Sequence, residues 1–400
     1  METAKSDVLI VGAGIGGLTA ALALAQHGFS VCILERAPQI QEVGAGIQIS
    51  SNATRVLQGL GLLDAIAAVA SKPECTVIRR GRDGEVLARL TFGASAEAHY
   101  GAPFFTLHRA DLQGVLYAAA LANPKIEILA GMDVTGFELD EGEVVVDVQQ
   151  GLVWHKRRAD VLVGADGLRS IVREKLNVPG AARYTGQHAW RSMIPWEYVP
   201  KSLQNNETSL WLGQKTHLVH YPLRGNEGSP NRVMNVVAVV EAKQFASIGN
   251  SWSEMADPAI LRHAFAGWDR TARLLLEAAG DWRLWQLFDR DPASHWGEGP
   301  VTLLGDAAHP MLPFLAQGAS QALEDAASLA RHLSGTGEVA AKLRAYEKER
   351  APRTAKVQLR TREQAKIYHM GGPPAFARDM AMKFMGPERM MQRMDWIYRG

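Results

Sequence analysis

The chain has 400 residues, 47% hydrophobic and 21% charged, with 43 basic against 42 acidic side chains and a formal net charge of +1. This length and composition suit a globular protein with a sizeable core and more than one domain. The balanced charge gives no electrostatic footprint for nucleic acid. The longest apolar runs, such as 8–15 and 236–240, fall far short of the roughly 20 residues of a membrane helix.

The polar start METAKSD lacks the apolar core of a secretory signal. Two cysteines, Cys32 and Cys75, read as reduced thiols and are too few for a structural zinc site. The expectation is a cytoplasmic protein, a monomer or homodimer, with no membrane or nucleic-acid partner and no metal.

The first strong pattern is VLIVGAGIGGLTAALALAQHGFSVCILER, residues 8–36. An apolar strand runs into Gly12, Gly14 and Gly17, spaced as G-x-G-x-x-G. A small-residue helix follows, and then a second strand that ends in Glu35. Gly12 permits the tight turn, Gly14 lets the backbone approach a pyrophosphate, and Gly17 lets helix and sheet pack closely. The helix N-terminus offers unpaired N–H groups to the phosphates, and Glu35 can accept hydrogen bonds from ribose hydroxyls.

Residues 55–70 carry apolar positions at helical spacing. Strand-like pieces follow (CTVIRR, GEVLARLTF, KIEILAG, GEVVVDVQ), with RADLQGVLYAAALA, 109–122, predicted as a helix between them. ADVLVGADG then leads into the helical RSIVREKL. From about 180 to 240 the texture is strand and turn, and 257–287 reads as helical and rich in tryptophan. An apolar strand returns at VTLLGDAAHP, before the helix GASQALEDAASLARHL and a Met-rich helical tail.

The α/β texture therefore occurs in separated segments around a sheet-rich insert. The predicted fold class is α/β: a Rossmann-like dinucleotide-binding domain built from separated segments, a second β-sheet domain, and C-terminal helices. The expected boundaries are 1–73, 104–177 and 297–345 for the first domain, 74–103 and 178–296 for the second, and 346–400 for the helical segment.

Two later stretches bear on which dinucleotide is bound. One is VLVGADGLRSIVR, 161–173. The other is VTLLGDAAHPMLPFLAQGASQALEDA, 301–326. In the second, a strand delivers Gly305 and Asp306, a proline-bounded loop follows, and Gly318 opens another helix. Asp306 can hold hydroxyls of an extended sugar chain, while Gly318 and Ala319 offer helix-start N–H groups to a carbonyl that becomes anionic. A simple NAD dehydrogenase has no use for a second cofactor turn almost 300 residues after the first.

At these motifs the chain resembles the single-component, FAD-dependent aromatic hydroxylases, the group A flavoprotein monooxygenases. The likeness is greatest to the branch containing salicylate hydroxylase, 3-hydroxybenzoate 6-hydroxylase and 6-hydroxynicotinate 3-monooxygenase. It runs from GAGIGG through VGAGIQIS, LHRADLQ, VGADGLRS and LGDAAHP to the closing DWIY. The resemblance implies tightly held FAD, with NADH or NADPH and O2 as co-substrates. It further implies that Arg36 helps hold the adenosine ribose and that Arg109 reaches the pyrophosphate or ribityl region. The Val134 backbone would touch adenine, Asp166 would serve both FAD and the reduced nicotinamide, and Pro313 would lie beside the flavin ring.

On the substrate side, THLVHYPLR, 216–224, is a strand whose alternation turns His217, Val219 and Tyr221 one way and His220 the other. The resemblance makes His217 and Tyr221 the pair facing an aromatic substrate, acting on its phenolic oxygen. Gln48, in GAGIQIS, is assigned to the same pocket and to the cofactor. It stands where the hydroxynicotinate pattern carries histidine, which counts against that substrate. Phe314 stands where relatives often present a polar residue, so the anchor for a substrate carboxylate is left unidentified. His309 reads as a structural hydrogen-bonding group, and the tail GPERMMQRMDWIY as packing against a neighbouring domain.

The expected function is hydroxylation of a small phenolic or heteroaromatic acid through a flavin C4a-hydroperoxide. The alternatives are an NAD(P)-dependent dehydrogenase and a non-catalytic FAD-bound interaction protein.

Overall fold

The computed structural model describes residues 5–40, 45–225, 228–229, 231–242, 254–255 and 257–400. The first four residues of the polar start, and 243–253 within the predicted sheet-rich insert, lie outside the described residues.

Two large sheets organise the chain. The first runs in the order Ile126–Ala130, Val31–Glu35, Lys5–Val11, Val153–Gly164, Glu143–Gln150, Asp133–Asp140, and Val301–Leu303 also pairs with Val153–Gly164. Its centre is parallel. The long strand Val153–Gly164 changes partner along its length: 153–159 pair antiparallel with Glu143–Gln150, and 162–164 pair parallel with Val301–Leu303. Helices Ile15–Gln26, Arg109–Leu121 and Gly318–Leu333 bury the parallel strands. Those strands accordingly read as unbroken apolar runs, such as VLIV and VCIL, rather than as alternating ones.

The second sheet has eight strands in the order Glu254–Met255, Arg283–Asp289, Arg183–Pro195, Val233–Glu241, Thr216–Leu223, Glu207–Gly213, Cys75–Arg80, Val86–Thr91. Alternation gives it two faces. Trp190, Trp211, Leu218, Val236 and Ala238 pack in one cluster with helices Ala259–Ala264 and Arg270–Ala278. Ala189, Leu210, Leu212 and Val239 turn the other way, toward Phe314 and the C-terminal helices Val339–Tyr368 and Asp395–Tyr398.

A two-stranded ribbon, Gly46–Ile49 with Phe105–His108, bridges the sheets. The Gly46 N–H donates to Asn235 Oδ1 at 2.9 Å, and the Thr106 hydroxyl donates to the Pro222 carbonyl at 2.7 Å. A Cβ on Gly46 would stand 2.4 Å from Asn235 Cγ, so this approach requires glycine.

Two expected helices are corrected. Residues 55–70 do not form one helix: Ser51–Gly59 and Leu63–Val69 are separated by Gly61 in the left-handed region at φ 73°. The tryptophan-rich end of 257–287 is the strand Arg283–Asp289. Its aromatic and branched residues fit a pleated surface better than a helix, and Arg183–Pro195 supplies its pairing edge. The helix Val339–Tyr368 runs without interruption through residue 345.

Candidate active site

Two turns, distant in sequence, meet at the end of the parallel strands. In the first, Gly12 has φ +105°, and a Cβ there would lie 2.6 Å from the Ala165 carbonyl oxygen. A Cβ on Gly17 would lie 2.0 Å from the Gly12 carbonyl oxygen, whereas one on Gly14 meets nothing within 4 Å. Two of the glycines are thus demanded by packing, and the third leaves space for a ligand. The Glu35 carboxylate grips this loop. It accepts from the Ala13 N–H at 2.9 Å and the Ala37 N–H at 2.8 Å, leaving further lone pairs for ribose hydroxyls.

The second turn is built at Gly305–Ala307 and leads to the helix Gly318–Leu333, whose start has no side-chain cap. It is tied to the DG motif through Arg173. That guanidinium donates to the carbonyls of Ala307 and Ala308, each at 2.9 Å, and to Pro179 at 2.7 Å. Buried Asp325 holds the turn from beneath. It accepts from the Gly305 N–H at 3.1 Å and Arg350 Nε at 2.7 Å, and meets His309 Nε2 at 2.5 Å. Burial alone would raise the Asp325 carboxyl, but His309 and Arg350 outweigh it and hold it down at about 2. His309 is therefore occupied in holding the turn, as its surroundings in the sequence suggest.

Asp166 caps the following helix, its Oδ2 accepting from the Ile171 N–H at 2.8 Å. Its Oδ1 is buried with no partner among the described residues. Burial raises this carboxyl above the ordinary range. An orphaned oxygen beside the cavity-lining Ala165 and Gly167 is a vacant acceptor for a ligand hydrogen bond.

One cavity of about 1000 Å³ joins both turns to the second sheet. Gly14, Gln48, Arg109, Asp306, Pro313, Gly318 and Ala319 line it, and so do His217 and Tyr221. Gly12, Gly17, Glu35 and Asp166 do not line it: Gly12 and Gly17 pack within the first loop, Glu35 accepts from its Ala13 N–H, and Asp166 lies between the lining residues Ala165 and Gly167. Val134 and Arg36 do not line it: the Val134 side chain is in the core and Arg36 is exposed.

His217, Val219 and Tyr221 share the cavity face of their strand. His220 turns away and receives the Trp211 indole N–H at 3.1 Å. Burial pushes the Tyr221 hydroxyl well up, with the Arg191 charge opposing, so the phenol stays protonated. Burial likewise pushes His217 well below its usual value, so its ring is neutral. The Phe314 and Tyr368 rings flank His217, with centroids at 5.1 and 5.4 Å.

Several lining residues go unread in the sequence. Arg191 is brought to the cavity by the strand Arg183–Pro195, and the signal was available as a lone cation in an apolar strand. Met382, Met390, Met394 and Tyr398 come from the tail, which walls the cavity rather than simply packing on a neighbour. No local pattern distinguishes that role.

A family profile described as an FAD-binding domain matches residues 5–361. The 3-hydroxybenzoate 6-hydroxylase of Polaromonas naphthalenivorans is 37% identical over 396 residues, covering 99% of this chain and 96% of the relative. The 6-hydroxynicotinate 3-monooxygenase of Bordetella bronchiseptica is 35% identical, covering 88% and 90%. The solved structure of Klebsiella pneumoniae HpxO complexed with FAD and uric acid superposes with a TM-score of 0.85 at 26% identity, covering 99% and 97%.

The chain belongs to this FAD-binding family. It is an FAD-dependent aromatic monooxygenase, with NAD(P)H, O2 and a small aromatic compound as its substrates. The chemistry of the site fits FAD: an open glycine at one helix start and a second uncapped helix start line one cavity, and an orphaned buried carboxylate oxygen lies between two of its lining residues. Among the described residues no helix is long and apolar enough to cross a membrane.

Proposed function

We propose that this enzyme hydroxylates a small phenolic or heteroaromatic acid whose ring lies against the His217–Tyr221 face of the second sheet. The observation that supports this most strongly is that this face and both glycine turns open into one cavity. In the proposed division of labour, 1–73, 104–177 and 297–345 bind FAD, 74–103 and 178–296 bind the aromatic ring, and 346–400 close the cavity, in a monomer or homodimer.

Bound FAD, reduced by NAD(P)H, supplies the activated oxygen. The protein binds, orients and excludes water. Gly14 and the helix start behind it receive the pyrophosphate, with Arg109 alongside. Glu35 and Arg36 hold the adenosine ribose, and the Val134 backbone borders the adenine. Asp306 takes ribityl hydroxyls, and the Gly318 and Ala319 N–H groups face the ring carbonyl. Asp166 serves both FAD and the reduced nicotinamide. Pro313 and Gln48 border the flavin ring.

On the substrate, neutral His217 accepts the phenolic proton, because an electron-rich phenolate ring is the better nucleophile, and protonated Tyr221 donates a hydrogen bond to the same oxygen. Arg191 is the proposed carboxylate anchor. It lines the cavity, its Nε is buried without a partner, and no carboxylate pairs with it among the described residues. A half-buried cation in that state gains from an anionic ligand. The test is a panel of hydroxybenzoates, hydroxypyridines and their decarboxylated analogues, scored for accelerated NAD(P)H oxidation and hydroxylated product. Stimulation by the acids and not by the analogues is expected; equal stimulation by both removes the proposed acid specificity.

A further inference from the structure

Behind His217 a chain of titratable groups leads out of the cavity. His217 Nδ1 lies 2.8 Å from His369 Nε2, and His369 Nδ1 lies 3.2 Å from Glu241 Oε1. His217 and His369 are buried, while the Glu241 side chain is 39% exposed. The line therefore begins at the cavity wall and ends in water. Its members come from three elements: the strand Thr216–Leu223, the end of the helix Val339–Tyr368, and the last residue of the strand Val233–Glu241.

The carboxylate fixes the proton positions along this line. An ionised Glu241 only accepts, so His369 Nδ1 must carry the hydrogen and His369 Nε2 must be the lone pair. His217 Nδ1 must then donate to it. That leaves His217 Nε2, which has no partner among the described residues, as a bare acceptor on a ring that lines the cavity. Among the described residues the one competing contact is Gln187 Nε2 at 3.5 Å from His369 Nδ1. The Gln187 Oε1 is buried and unpartnered, so turning that amide over gives the same His369 N–H a second acceptor. Among the described residues the only other titratable group on a ring facing His217 is Tyr368, whose hydroxyl donates to the Phe314 carbonyl at 3.2 Å.

We infer that Glu241 and His369 are positioning residues which hold His217 in the tautomer that accepts the substrate's phenolic proton, and that they pass this proton to solvent. The inference rests on the proposed role of His217. The substrate O–H bond breaks as an N–H forms at His217 Nε2. The His217 Nδ1 proton moves to His369 Nε2, the His369 Nδ1 proton moves to Glu241, and the Glu241 proton leaves to water. The substrate remains as its phenolate, and no electrons change hands. The reverse sequence returns a proton to the product oxygen.

The first test needs no substrate. In ¹⁵N-histidine-labelled, FAD-loaded enzyme, assigned with His217→Asn, His217 is expected to show protonated Nδ1 and bare Nε2. Glu241→Gln, made at the exposed end of the line, is expected to shift His217 toward the Nε2-protonated form. A resting His217 protonated on Nε2, or a tautomer indifferent to Glu241→Gln, overturns the inference.

The second test mixes oxidised enzyme with 4-nitrophenol and follows proton release to an indicator dye. Glu241→Gln and His369→Gln are expected to slow release about 10- to 100-fold, with FAD content unchanged and probe affinity within about twofold. Unchanged release kinetics overturn the relay. A panel of phenols that yields no hydroxylated product, alongside the expected tautomer, counts against the proposed function and leaves the hydrogen-bonded line standing.

Discussion

Gly14 and Gly17, three residues apart, should fail in opposite ways when a methyl group is added. At Gly17 the new Cβ would stand 2.0 Å from the Gly12 carbonyl oxygen, where ordinary contact begins near 3.4 Å. Loop or helix must therefore give by more than 1 Å. Overpacking of that order costs up to about 3 kcal/mol, and the better helix propensity of alanine returns about 1 kcal/mol. Gly17→Ala should thus lower apo-protein stability by about 2 kcal/mol. At Gly14 the backbone is extended (φ −71°, ψ 178°) and the added Cβ meets no protein atom. The apo-protein should change by no more than about 0.5 kcal/mol.

The same Gly14 methyl projects into the space where a pyrophosphate would approach. Losing one charge-assisted hydrogen bond there costs about 1.5–3 kcal/mol, or about 10- to 100-fold in FAD affinity. The assay is urea unfolding of apo-protein beside FAD titration by flavin fluorescence. Gly14→Ala with wild-type FAD affinity, or with apo stability as low as Gly17→Ala, would refute the reasoning.

Tyr221→Phe should lower the hydroxylation rate about 10- to 100-fold through loss of one hydrogen bond to a charged oxygen; FAD absorbance should be unchanged, and an unaltered rate would remove Tyr221 from the site. Arg191→Gln should raise KM about 10- to 100-fold for a carboxylate-bearing substrate and little for its decarboxylated analogue; steady-state kinetics on the pair checks this. Asp325 is held at about 2 in the fold against an ordinary 3.8. Its depressed value gives stability that is present above about pH 4 and lost as pH falls through about 2. Urea midpoints across that window should fall less steeply in Asp325→Asn, whose stability should already be lower at neutral pH.

What was legible in the sequence follows physical range. The first glycine loop is a local device: Gly12, Gly14, Gly17 and Glu35 all fall within 8–36, flanked by the strands and helix that give them meaning. The face shared by His217 and Tyr221 follows from alternation alone. The second turn was readable from its strand, glycine and helix start, although its supports were not. Arg173, Asp325 and Arg350 reach it from three different segments.

The break at Gly61 was missed because the apolar spacing continues across it, and the strand Arg283–Asp289 because its partner strand lies nearly a hundred residues earlier. Arg191 needed the register of Arg183–Pro195 against Val233–Glu241 before its cavity position had meaning. His369 ends a 30-residue helix, and only tertiary packing brings it against His217 and Glu241.

The central claim is that one cavity joins FAD, gripped by two remote turns, to an aromatic ring on the second sheet. Its most direct measurement is mass spectrometry of the product formed under ¹⁸O2 from an aromatic acid that accelerates NAD(P)H oxidation. One ¹⁸O atom in the new ring hydroxyl, with one reduced nicotinamide consumed per product, is the expected result. Oxygen drawn from water, or nicotinamide oxidation with no hydroxylated ring, would contradict it.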